Sequence, residues 1–321
     1  MKNILVVGVG NFGAWWIICL SKIRSPLKIY CFDLDPSKYD VLKKRIISNQ
    51  TSASTDHKIH FLNTLNDAPK KFDTIIISTN ADVRLKVIQD LRKLFYTTNW
   101  IIEKVMVQSS NQLSSLSQCL KDQNVYVNHS RRLQPATNFC KSILQRKSFP
   151  SNVTYLGGRW ELASNSFHFI DLINYWFETK LVKIDVDGLF SQWHASSTRK
   201  GFFDISGLLI AHFENGIKLC MDWSESNNKA EWIFQHRDGK TKYNEVTGQI
   251  YENENILATI PLVNFSEMGS LLEPIIMRDI NQKNNLPTLE EVQSSTSILL
   301  DSFLLHWRSS KDNQSVKVPI S

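Results

Sequence analysis

The chain lacks both the cysteine pairing of a disulfide scaffold and the ligand spacing of a metal site. Its five cysteines, Cys19, Cys31, Cys119, Cys140 and Cys220, are odd in number, widely spaced and without a C-x-x-C pair. This excludes the usual zinc and dithiol motifs and sets the expectation of a reduced, cytoplasmic setting. His57, His60, His129, His194, His212, His236 and His306 fall in no H-x-x-x-H or clustered-carboxylate pattern, so no bound metal is expected. No apolar run reaches the roughly 18 residues of a membrane span. The opening residues enter an apolar strand without the basic start and small-residue cleavage site of a secretory leader. A membrane partner is therefore not expected, and the sequon Asn152-Val153-Thr154 reads as a chance match. Long basic tracts are missing too. Net charge is +6, but Lys and Arg are scattered among acids, which argues against nucleic acid and leaves a mild positive field suited to an anionic cofactor or substrate. Internal repeats and low-complexity tracts are absent, and the polar run "SNQTSASTDH" reads as a loop inside the first domain.

What is present suffices for two cores: 321 residues, 42% of them hydrophobic, lead us to expect a first domain over 1–128 and a second over 129–321. The chain opens "KNILVVGVGNFGAWW". Asn3 to Val7 is a short β-branched run of the kind buried on both faces of a parallel sheet. From Asn11, Ala14, Trp15, Ile18 and Cys19 recur at helical spacing. Gly8, Gly10 and Gly13 thus stand between a strand and a helix, where glycine permits a tight turn, close approach to a pyrophosphate and close helix packing. The helix start, with Asn11 and Phe12, offers N–H groups to phosphates. The next strand, "LKIYCFDLDP", carries Asp33 twenty residues beyond Gly13, a position suited to the adenosine ribose hydroxyls and favouring NAD over NADP. Asp35 is read as the cap of the helix entered at Pro36.

Strand and helix continue to alternate, with strands near Lys58–Leu62, Thr74–Ser78, Trp100–Lys104 and Val125–Asn128 and helices near Asp82–Leu94 and Asn111–Lys121. Such alternation predicts an α/β Rossmann domain with a doubly wound parallel sheet. Thr79 and Asn80, in "STNADVR", read two ways: contacts to the nicotinamide side of a cofactor, or a plain helix cap. Past Asn128 the pattern changes to successive strands, "NVTYLGGRW", "KIDVDGLF", "ISGLLIAHF", "IKLCMDW" and "AEWIFQH", with a hairpin at Glu214-Asn215-Gly216. This predicts an α+β domain with a mostly antiparallel open sheet. A helix from about Phe167 to Phe177 points Phe169, Leu172, Ile173 and Trp176 at the core and sets His168, Asp171 and Tyr175 along its other side. That polar stripe faces a cleft or is a local surface pair. Trp160 and Trp193 read as packing or as the wall of a sugar site.

Glu103-Lys104 at the end of "NWIIEKV", together with the opening turn, resembles the Gfo/Idh/MocA family of NAD(P)-dependent oxidoreductases, whose members carry Glu-Lys-Pro at this point. "VNHSRRLQPA", with Arg132 and Pro135, "SNSFHFIDLINYWFE", with His168 and Asp171, and the tail "LPTLEEVQSSTSILLDSFLLHWRSS" are similar to later segments of that family, so the resemblance spans essentially the whole chain. Two positions depart from it: Val105 stands where the family has Pro, and Ser164 where many catalytic members have Asp. The resemblance implies hydride transfer between nicotinamide and a hydroxyl of a sugar, cyclitol or activated sugar. It implies His168 as acid/base, Lys104 as hydrogen-bond donor or proton relay, and Asp171 as the group that orients substrate or His168. The resemblance further implies Glu103 in the cofactor site and Arg132, Ser164 and Tyr175 facing the substrate. It also implies a closing helix that packs back on the first domain and sheet faces that pair into a homodimer or homotetramer. The departures keep two alternatives open, an NAD-binding regulatory or accessory protein without turnover and an NAD-dependent glycosidase.

Overall fold

The computed structural model describes residues 1–49, 56–158, 161–223, 229–278 and 285–321. Trp160 and residues 50–55 of the polar run lie outside them. The chain divides into two compact units, the first comprising Met1–Met106, Ser115–Ser130 and Val263–Leu289, the second Val107–Ser114, Arg131–Leu262 and Glu290–Ser321.

In the first unit β1 (Lys2–Val7), β2 (Leu27–Phe32), β3 (Lys58–Phe61), β4 (Thr74–Ile77), β5 (Asn99–Ile102) and β6 (Asn124–Val127) form one six-stranded sheet in the order β3-β2-β1-β4-β5-β6. Every pairing in it is parallel. This is the doubly wound order expected, with the reversal between β1 and β4, where ligands bind in such sheets. The sequence explains the placement. "TIII" and "NWII" are buried at every residue, as strands covered on both faces must be. The edge strand β3 alternates exposed and half-exposed residues. The strands are connected by α1 (Asn11–Leu20), α2 (Lys38–Asn49), α3 (Ala81–Leu94) and α4 (Ser110–Cys119), of which α4 straddles the division between units. Late in the chain, α7 (Gly269–Met277) returns to this unit. Just before it, the Phe265 ring lies 4.9 Å from Phe12 and 4.8 Å from Trp16 on α1.

The second unit holds α5 (Pro135–Leu144), β7 (Asn152–Gly157), α6 (Leu162–Phe177), β8 (Leu181–Leu189), the short pair β9 (His194–Ala195) and β10 (Phe203–Asp204), then β11 (Gly207–Phe213), β12 (Lys218–Trp223), β13 (Ala230–His236), β14 (Gly239–Asn244), β15 (Gln249–Glu252) and β16 (Asn255–Thr259). From Glu290 onward, α8 (Leu289–Ser310) groups with it. Its eight-stranded sheet runs β16-β15-β14-β13-β7-β12-β11-β8. Only the β7–β12 pair is parallel among the described residues, so the sheet is mixed and mostly antiparallel. The expected hairpin joins β11 to β12, with Gly216 at φ +84°. Alternation along β7, β12 and β13 turns Tyr155, Trp223, Trp232 and Phe234 to the side covered by α6. There Tyr155 stacks on Phe169 at 4.1 Å and Trp232 meets Trp176 edge-on at 4.9 Å. Such aromatic contacts add about 0.5–1.5 kcal/mol each beyond the area they bury.

The helix expected from Phe167 starts at Leu162. Its first turn is held by a residue distant in sequence, Asp204 of β10, whose carboxylate accepts from the amides of Ala163 at 2.7 Å and Ser164 at 3.1 Å. No described helix is long and apolar enough to cross a membrane.

Candidate functional site

In the first unit the three glycines have distinct tasks. Gly8 follows β1 with φ +87°, and its amide donates to Phe32 O at 2.9 Å. A Cβ on Gly13 would fall 1.9 Å from Gly8 O, so only glycine lets α1 start this close to the turn. A Cβ on Gly10 would meet nothing within 4 Å. Gly10 is also the N-cap of α1, with no side-chain cap bond and no acid in the first turn. The positive end of the helix therefore opens on empty space beside the glycine whose lack of a side chain keeps it open. Arg45 of α2 adds a cation, donating to the Asn11 side chain at 2.7 Å. Among the described residues, the buried hydroxyls of Ser78 and Thr79, beyond β4, have no hydrogen-bond partner. The glycine turn, the open helix start and Arg45 fit the pyrophosphate of a dinucleotide, and the two hydroxyls are available to another part of it.

Asp33 lies one residue beyond β2 with its side chain 8% exposed. One carboxylate oxygen accepts from the Val9 amide at 2.8 Å, inside the glycine turn. The other accepts from the Asp35 amide at 3.0 Å and pairs with Lys38 Nζ at 2.8 Å. The carboxylate is thus joined to the turn and partly neutralised by a lysine that the strand-end pattern did not reveal. Asp35 accepts from the amide and hydroxyl of Ser37 at 3.1 and 2.6 Å and so caps the approach to α2.

Asn80 takes the N-cap position of α3, but its side chain makes no cap bond. β5 ends at Ile102, leaving Glu103 and Lys104 just past its carboxyl end. Glu103 is buried and accepts from Trp16 Nε1 at 2.5 Å and Asn128 Nδ2 at 2.6 Å. Burial pushes its carboxyl pKa up, against the pull of those two donors and of Arg84. Lys104 is half-buried, and its peptide bond to Val105 is cis. Sequence reasoning missed Arg84, which is 2% exposed and donates to the carbonyls of Thr79, Glu103 and Val105. A signal existed: Arg84 lies four residues before Ile88 and seven before Leu91, on the buried stripe of α3.

In the second unit α6 carries Ser164, His168, Asp171 and Tyr175, all buried except Tyr175, which is half-exposed. With His168 and Asp171 both inside, the surface-pair reading does not hold. Asp171 accepts both prongs of the Arg132 guanidinium, Nε at 2.8 Å and Nη2 at 2.6 Å. Arg132 also approaches Glu291 at 3.6 Å and lies 5.1 Å from the Tyr175 ring, whose hydroxyl donates to Asn138 Oδ1 at 2.7 Å. The structure therefore joins Arg132, Asp171 and Tyr175 in one cluster. Its neighbour Arg131 turns to the sheet and pairs with Glu245, which also accepts from Tyr155 at 2.9 Å and Trp232 at 3.1 Å. Asp204 is the buried acid at the helix start, its pKa raised to about 6 by desolvation despite three amide donors, Ala163, Ile205 and Ser164. Trp193 is packed against Phe303 and Trp307, and its Nε1 donates to His306 at 3.1 Å. It also lines a cleft of about 430 Å³ with Phe190, Gln192, His194 and Ser206.

The first unit has the architecture of a dinucleotide-binding domain, and the whole chain has the fold of the Gfo/Idh/MocA-type oxidoreductases. It is similar to an oxidoreductase from Agrobacterium radiobacter solved with NAD+, L-tartaric acid and magnesium, at a TM-score of 0.67 and 10% identity over 98% of each chain. It is similar to myo-inositol 2-dehydrogenase from Lactobacillus plantarum, at 0.63 and 12% identity over 100% of this chain and 99% of that one. A 3-ketoreductase from Actinomadura kijaniata, in complex with TDP-benzene and NADP, matches at 0.64 and 10% identity over 94% and 96%. No family model and no curated protein matches the sequence.

Proposed function

We propose that this chain is an NAD-dependent oxidoreductase of the Gfo/Idh/MocA family that moves hydride between nicotinamide and a hydroxyl-bearing carbon of a sugar, cyclitol or activated sugar. The observation that carries the reading is the glycine turn, closed between Gly8 and Gly13 and open at Gly10. Gly8, Gly10 and the amides of Asn11, Phe12 and Gly13 would hold the pyrophosphate, Asp33 the adenosine ribose, and Thr79, Asn80 and Glu103 would shape the nicotinamide side. The dinucleotide, when bound, supplies the hydride acceptor.

Oxidising an alcohol also requires a proton to leave oxygen, and this chain must take it. His168 serves as the acid/base, because an imidazole nitrogen can both accept and return a proton. Lys104 donates a hydrogen bond to the reacting oxygen or relays its proton. Asp171 acts through Arg132, and with Ser164 and Tyr175 orients the substrate. We further propose a homodimer or homotetramer formed on the outer face of the second unit's sheet. There Ile210, Cys220, Thr154 and Ile233 line up in register across four strands, each half-exposed.

The test combines NAD and NADP titration with a panel of sugars, cyclitols and nucleotide sugars assayed for NADH formation. Replacing Lys104 by Ala should leave NAD affinity nearly intact and lower turnover by roughly 10²–10⁴. NAD binding without turnover on the panel would return the reading to a non-catalytic binding protein, and release of aglycone from glycosides would point to a glycosidase.

A further inference from the structure

Arg84 lies on the inward stripe of α3 with Ala81, Ile88 and Leu91. A guanidinium buried there must replace its hydration with other acceptors, and it does so with main-chain carbonyls from two neighbouring strand ends. Nη1 donates to Glu103 O at 2.6 Å and to Val105 O, and Nη2 donates to Thr79 O. The first two carbonyls stand on either side of Lys104. The third belongs to the segment after β4 that also borders Gly8, since a Cβ on Gly8 would come within 2.8 Å of Thr79 N.

We propose that Arg84 is the positioning residue for Lys104: one planar fork fixes the main chain before and after the lysine and fastens both to the loop beside the glycine turn. The assignment rests on the proposed reading of Lys104 as the residue that donates a hydrogen bond to the reacting oxygen or relays its proton. Lysine at position 84 would not substitute. An ammonium is a single point on a flexible stem, whereas the fork reaches carbonyls on two loops at once. A misplacement near 1 Å at a reacting group costs about 10²-fold in rate, so the effect belongs in kcat more than in binding.

The test uses the full-length protein and its Arg84→Met and Arg84→Lys variants with their lysines ¹³C-dimethylated. The Lys104 resonance is identified by its loss in Lys104→Arg. We expect Arg84→Met to shift or broaden that resonance and to lower kcat by about 10²-fold, with NAD affinity and substrate KM changed by less than about threefold. Arg84→Lys should recover only part of either effect, and it carries the test if Arg84→Met does not fold. A Lys104 resonance of unchanged position, width and titration in the folded variants overturns the proposal, whatever the turnover. A displaced resonance in a protein that oxidises nothing on the panel supports the Arg84–Lys104 coupling and removes the oxidoreductase reading instead.

Discussion

At the carboxyl ends of β1, β4 and β5 the first unit offers mainly main-chain groups: the amides of the glycine turn and the carbonyls gathered by Arg84. The second unit builds its candidate site from buried charge. Asp171 is held by Arg132 across 39 residues of sequence, and the start of α6 is held by Asp204 across 41. A backbone site depends on which residues have no side chain; a charged site depends on whether each buried ion keeps its partner. The two should therefore fail differently when changed.

The largest contrast falls within the glycine turn. Gly13→Ala puts a Cβ 1.9 Å from a carbonyl oxygen, and forcing apart a helix and a strand should cost about 3 kcal/mol or more. Gly10→Ala meets nothing within 4 Å and should leave the melting temperature within a few degrees, while the methyl group occupies the space reserved for the pyrophosphate. Thermal melts and NAD titration of both variants test this. Loss of stability in Gly10→Ala, or NAD affinity retained in it, breaks the assignment of Gly10 to the phosphates.

The second contrast concerns Asp204. Its pKa in the folded chain, about 6, lies above the ordinary 3.8. An acid raised in this way binds its proton more tightly in the folded state, so its contribution is greatest below about pH 4 and falls as pH rises towards 6. The total is about 3 kcal/mol, at 1.36 kcal/mol per pKa unit. Glu161, the other acid acting on it, raises the value. The stability difference between the unmodified protein and Asp204→Asn, measured by denaturant unfolding, should decline by about 2 kcal/mol from pH 4 to 6, the remainder of the total being lost outside that range. A difference that stays flat across this range would show that Asp204 is not the titrating cap.

What the sequence disclosed follows the same division. The turn, the strands around it and Asp33 were legible because Gly8 to Gly13 is one contiguous stretch and its carboxylate ends the very next strand. The mostly antiparallel second sheet was legible from alternation along β11 to β13, but its parallel β7–β12 pair was not, since alternation does not record strand direction. The start of α6 was not, because its cap comes from β10 and local pattern records no partner that distant. Nor did anything near Phe12 announce that Phe265 would pack against it, or anything near Arg131 that Glu245 would receive it. The stripe on α6 was placed correctly around the helix, yet helical period alone cannot tell an outward polar face from one turned into a buried ion cluster.

The smallest expected effect, and the most discriminating for cofactor choice, lies with Lys38. An acid after β2 was expected to favour NAD because a 2′-phosphate would meet its negative charge. Lys38 stands 2.8 Å from that carboxylate with its own side chain 41% exposed, and an exposed cation is worth about 1 kcal/mol or less at moderate salt. Lys38→Ala should therefore uncover the full charge of Asp33 and weaken NADP by about three- to fivefold while NAD changes less, with the contrast fading as ionic strength rises. Asp33→Ala should weaken NAD and narrow its margin over NADP, since the ribose bonds and the repulsion disappear together. Calorimetric titration of both dinucleotides at low and high salt reads these terms apart. A Lys38→Ala protein that loses NAD and NADP affinity equally would mean that the lysine holds the loop and not the phosphate balance, and an unmodified protein that prefers NADP would overturn the assignment of Asp33.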